Sequence, residues 1–150
     1  MTNHSTASAS TIVPAMRYRD PAKMIDWLSN AFGFARHGVY HDDAGAVVHA
    51  QLTYGSGMIM LGPITEGDWS KYFAQPDEIG GRETQTCSIT VADCDAHYAI
   101  AVAAGAEIID PLAEKPYGGK AYGARDPEGH LWWFGSYDPW AEADPAPPNG

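Results

Sequence analysis

From Ala46 to Tyr54 the chain alternates, with His49, Gln51 and Thr53 on one side and Val48, Ala50 and Leu52 on the other. A period of two marks a half-buried strand. A helical period governs the stretch before it, where Met24, Ile25, Trp27, Leu28, Ala31 and Phe32 fall on one side. Asp20 caps this predicted helix, Pro21 takes its first position and Gly33 ends it. Thr11 to Arg19 reads as a strand with an irregular start at Pro14. Phe34 to His41 is the next strand, turned by Asp42-Asp43-Ala44-Gly45 into the alternating segment. Gly55-Ser56-Gly57 then leads into a closing strand, Met58 to Gly62. The order is β-α-β-β-β.

Residues 63–84 are polar with Trp69, Tyr72 and Phe73 embedded, a linker or a lid over a pocket. After them the order restarts. Gln85 to Ala92 is a strand, and Asp93 or Asp95 caps a helix running to Gly105. Ala106 to Ile109 and Lys120 to Arg125 are strands, and Asp126-Pro127-Glu128-Gly129 is turn chemistry before the aromatic run Leu131 to Gly135. Asp20 and Asp93 are 73 residues apart, as are Met60 and Trp133 in the two closing strands. Equal spacing with the same element order indicates a duplicated unit. The expected organisation is therefore one module over 11–62, a linker or lid over 63–84, a second module over 85–137, and disordered tails over 1–10 and 138–150.

Composition narrows the function. A net charge of −10 argues against nucleic-acid binding, which needs clustered Lys and Arg. It suits a cationic ligand, although acidity also serves solubility. No apolar run is long enough to span a membrane, and the Ser/Thr-rich start is not a secretory signal. Two cysteines make no disulfide framework, so a reduced, cytoplasmic setting is expected.

Arg19-Asp20-Pro21, Ala104-Gly105-Ala106 and Asp126-Pro127-Glu128-Gly129-His130, set in two β-α-β-β-β units, resemble the vicinal oxygen chelate superfamily. That group holds glyoxalases, ring-cleaving dioxygenases, and fosfomycin and bleomycin resistance proteins. The resemblance covers about residues 11–137. It implies an α+β fold in which two βαβββ modules form paired curved mixed sheets around a cleft. It also implies a homodimer, with the modules paired within one chain or exchanged between two. In these families His, Glu or Gln side chains from the first and last strands of each module hold a divalent metal. That pattern falls on Val13, Met60, Thr86 and Trp133. None is a competent ligand for a hard or borderline divalent ion. No metal or other cofactor is expected, and the resemblance is nearest to the metal-free bleomycin-resistance-like branch.

Other chemistry is sparse. His49 is a candidate base or ligand, with His37 and His41 on the neighbouring strand; His130 follows the turn, and His97 is placed at the surface of its helix. Cys94 lies at a helix N-terminus, but Asp93 and Asp95 oppose a thiolate. Aromatic residues concentrate in the linker and the last hairpin, where alternation puts Trp132 and Phe134 on one face and Trp133 on the other. The expected function is metal-independent binding of a small molecule, a cationic or aromatic antibiotic-like ligand held for sequestration. The residues expected to bind it are His49, Gln51, Met60, Trp69, Tyr122, Arg125 and Trp133. The alternative is a lyase or oxygenase of the same superfamily, with His49 or Arg125 polarising a substrate or with a metal on unassigned histidines. A third class is a structural or regulatory partner protein.

Overall fold

The computed structural model describes residues 9–141. Most of both expected tails falls outside this range. Strand β1 (Ala15–Tyr18) leads into helix α1 (Pro21–Phe32), followed by β2 (Ala35–His41), β3 (Val47–Tyr54) and β4 (Gly57–Pro63). The second unit has β5 (Cys87–Thr90), α2 (Cys94–Ala103), β6 (Glu107–Glu114), β7 (Lys120–Arg125) and β8 (Leu131–Gly135). Each unit forms a four-stranded mixed sheet, ordered β1-β4-β3-β2 and β5-β8-β7-β6. The expected α+β fold of two βαβββ modules is the one observed.

Local chemistry sets the elements. Asp20 and Asp93 cap the two helices by accepting from Lys23 N and Ala96 N, three residues on. The duplication extends to register, since Ala15 pairs with Met60 and Ser88 with Trp133 in the two parallel strand pairs. The two largest differences from the expected boundaries are in β1 and β6. β1 begins only at Ala15, because Pro14 has no N–H for a ladder and instead gives its carbonyl to Met60 N. β6 runs on to Glu114, with irregular pairing that accommodates Pro111.

Helix α1 packs on α2, and one core unites the modules. Tyr18, Met24, Leu28, Phe32, Leu52 and Leu61 meet Tyr122, Trp132 and Phe134 there. The inner face of each sheet contributes to this core, so the two outer faces are turned away from it.

His97 is half-buried against that core and not at the surface as expected. Cys94, His97 and Ala101 share one face of α2, and the ring lies 4.3 Å from that of Phe134. Nε2 donates to Phe32 O at 2.8 Å, which leaves Nδ1 as acceptor for the Tyr122 hydroxyl at 2.6 Å. Burial pushes the Tyr122 phenol up, keeping that donor protonated, and pushes the His97 imidazole below its ordinary 6.5. The neutral ring is the folded form, so below about 6.5 the unfolded chain binds a proton that the fold refuses. Stability is expected to be full above that pH and to fall as pH drops through the lowered value. Thermal melts from pH 7.5 to 5 will show the slope, and His97→Gln, whose amide offers one donor and one acceptor, will flatten it.

The turn after β7 clasps the other module. Asp126 is buried, and its carboxylate accepts from Tyr18 Oη at 2.6 Å, Trp132 Nε1 at 3.0 Å and the backbone N–H groups of Glu128 and His130. Glu128 accepts from Arg19 N at 2.6 Å and Asp20 N at 2.9 Å, at the entry to α1. Gly129, at φ 100°, closes this turn as only glycine does easily. The 64–86 segment is fastened beside it: Gln75 Nε2 donates to Arg17 O, and His130 joins Glu83 to that same carbonyl.

Candidate functional site

The outer face of the first sheet follows from its register. Arg17 pairs with Gly62, and His49 with Tyr40, and the antiparallel register of β3 and β4 brings Gly62 beside His49. One row therefore reads Arg17, Gly62, His49, Tyr40. The next reads Ala15, Met60, Gln51, Gly38. His49, Gln51 and Met60, three of the expected ligand residues, are thus together and half-buried. His49 Nε2 lies 3.3 Å from Gln51 Nε2, and its ring is tilted against Tyr40.

The second sheet's outer face carries the row Ser88, Trp133, Gly123, Asp110. The Trp133 indole lies over Gly123, where a Cβ would sit 2.6 Å from its ring. Its N–H donates to Asp110 Oδ2 at 3.3 Å, and Lys115 Nζ reaches the same oxygen at 3.1 Å. The result is a flat aromatic platform held at its edge. Arg125 shares this face, but Nη1 donates to Gly81 O and Gly129 O and Nε reaches Glu107. Its guanidinium fastens the linker and the turn, leaving little to offer a substrate.

Two expected residues lie elsewhere. Tyr122 is wholly buried on the inner face and committed to His97, so no ligand on the outer face can touch it. Its neighbours Ala121, Gly123 and Ala124 are small, so the pattern around it does not mark an outer face. Trp69 stands on the linker, 67% exposed, with its ring against Tyr72. Arg17, Asp110, Gly62 and Gly123 join the site without a signal in the sequence, because only strand register shows what they adjoin.

The donor set of a metal site does not assemble here. Of the four positions that the resemblance assigns to metal ligands, Met60 offers a thioether, Trp133 an indole, Val13 no lone pair and Thr86 only a hydroxyl, and none suits a hard or borderline divalent ion. Among the described residues no three His, Cys, Asp or Glu side chains converge. Cys94 is buried, and burial, followed by Asp95 and Asp93, pushes its thiol up, away from the reactive thiolate. No helix of the described residues is long and apolar enough to cross a membrane.

Comparison with known proteins agrees with this architecture. The family model of the glyoxalase/bleomycin resistance protein/dioxygenase superfamily matches residues 10–134. The uncharacterized protein Mb0911c of Mycobacterium bovis is 29% identical over 122 residues, covering 81% of this chain and 80% of that protein. The crystal structure of TioX from Micromonospora sp. ML1 matches with a TM-score of 0.67 and 35% identity, over 85% of this chain and 98% of that one. The fosfomycin resistance protein FosX from Listeria monocytogenes, solved with Mn(II) and 1S,2S-dihydroxypropylphosphonic acid, shares the fold at a TM-score of 0.61 and 16% identity. It covers 87% of this chain and 92% of that one. Two capped βαβββ units with matching register, and a family match across nearly all of both, lead to one conclusion: the chain belongs to the glyoxalase/bleomycin resistance protein/dioxygenase superfamily.

Proposed function

We propose that this protein is a metal-independent binder of small aromatic molecules. The observation that carries the reading is Trp133. It occupies a position where the superfamily pattern calls for a metal ligand, and it lies flat over Gly123 with its N–H on Asp110. An indole fixed in this way is a stacking surface with little rotamer freedom left to lose. Of the ligand classes that the sequence allows, an aromatic one is supported by this surface, whereas a cationic one rests on net charge alone. Sequestration needs no reacting group, and the one carboxylate in the Trp133 row, Asp110, is taken up by Trp133 and Lys115.

We further propose that two copies pair to complete the cleft. The outer face bearing His49, Gln51 and Met60 and the one bearing Trp133 are turned away from a common core, so one chain does not bring them face to face. A two-fold pairing that sets the first sheet of one copy against the second sheet of its partner would do so. Sedimentation is expected to give a homodimer.

The test is metal analysis after reconstitution with Zn, Ni, Mn or Fe, followed by titration of aromatic ligands read by tryptophan fluorescence. Well under one equivalent of metal is expected, with saturable quenching. Trp133→Glu is expected to gain no stoichiometric metal, since Val13, Met60 and Thr86 supply no matching donors. Stoichiometric metal in the unmutated protein would overturn the reading.

A further inference from the structure

In a chain with 19 acidic and nine basic residues, carboxylates are plentiful enough to pair with the cations. Five have one: Arg19 with Asp77, Arg36 with Asp26, Lys115 with Asp110, Lys120 with Asp95 and Arg125 with Glu107. Lys23, Lys71 and Arg82 are exposed and solvated. Arg17 is different. It is the one partly buried cation among the described residues with no carboxylate in reach. A half-desolvated charge normally has an ionic partner.

Its guanidinium is also held in place. The Phe73 ring covers one side at 4.2 Å, and Nη1 donates to Thr65 Oγ1 at 3.1 Å and weakly to Pro63 O at 3.5 Å. Nε and Nη2 have no acceptor among the described residues, and the Thr65 hydroxyl, having accepted, keeps its own proton to give. Arg17, Thr65, Ser70 and Phe73 line a cavity of about 160 Å³. Arg19 and Glu78 line it too, but Arg19 is bonded to Asp77 and lies 3.9 Å from Glu78, which leaves Arg17 as the unbalanced charge. Arg17 stands at the end of the row that continues through Gly62 to His49, so the cavity adjoins the outer face of the first sheet. The side chain missing at Gly62 leaves that row open between the cation and the imidazole.

We infer that Arg17, with Thr65, is an anion anchor, and that the ligand of this face is a planar organic acid whose carboxylate sits on the Arg17 fork. The inference rests on the small-molecule reading and adds the ligand's charge to it. A guanidinium presents paired N–H donors that match a carboxylate, and a charged bond of this kind discriminates against a neutral isostere.

The experiment compares 2-naphthoate with 2-naphthamide, titrated into the full-length protein at neutral pH. Wild type is expected to bind the acid about tenfold more tightly than the amide. Arg17→Gln is expected to abolish that preference by weakening acid binding about tenfold more than amide binding. Thr65→Val, which keeps the volume and removes the hydroxyl, is expected to reduce it in part, which guards against a general packing defect in the arginine variant. Equal binding of acid and amide by wild type, an acid preference that survives Arg17→Gln, or no binding of 2-naphthoate at millimolar concentration would each overturn the inference. The aromatic platform is read separately in the same assay. Loss of both probes in Trp133→Ala supports it, and their retention there removes the platform while leaving an Arg17-dependent preference for acid standing.

Discussion

Replacing Asp126 with alanine is expected to destabilise the fold severely. Four donors converge on its carboxylate, from the Tyr18 hydroxyl, the Trp132 indole and two backbone amides. The first two sit in the core, where water does not replace the lost acceptor. Each stranded donor costs roughly 1–3 kcal/mol, so the total is on the order of 4 kcal/mol. For a chain of this size that lowers Tm by about 10 °C or more. Asp126→Asn is expected to fall between, because its amide nitrogen would confront donors where the second oxygen stood. Thermal denaturation followed by circular dichroism measures both. A melt indistinguishable from wild type would show that the carboxylate is not what joins the two modules at this turn.

The second large effect concerns binding more than stability. Trp133→Ala removes a half-buried indole that lies on the outer face and outside the core, so the melt is expected to fall less than in the Asp126 variant. Affinity for aromatic ligands is expected to fall at least about thirtyfold, the scale of a dominant aromatic contact. Gly123→Val offers an independent route to the same result. Its Cβ would lie 2.6 Å from the indole, forcing the ring off the strand without removing it. Fluorescence titration of both variants decides the matter. Unchanged affinity in both would place the ligand elsewhere.

Much of the architecture is legible in the chain because it rests on local chemistry. The Asp20 and Asp93 caps, the alternation through His49 and Gln51, and the 73-residue offset are all visible there and all appear in the observed register. That Trp132 and Phe134 share one face and Trp133 takes the other also follows from simple alternation, whereas which face turns inward does not. His97 misleads because its polarity suggests the surface, although its spacing of three and four from Cys94 and Ala101 places it on the buried face. Tyr122 misleads because tyrosine suits either face of a sheet, and its small neighbours give no contrast. Arg17 and Gly123 are not to be found in this way. Their significance depends on which residues of other strands stand beside them, and pairing across strands is not written in local periodicity.

Glu128 has a consequence that reaches beyond the site. It belongs to the second unit, yet its carboxylate receives the Arg19 and Asp20 amides where the first helix begins. The first unit therefore depends on its successor to complete a helix entrance, besides sharing a core with it. Repeated units in many proteins fold and melt piecemeal. In this chain the copies have given up that autonomy, and the whole should unfold in one cooperative transition, with neither half persisting as a stable fragment when the other is cut away.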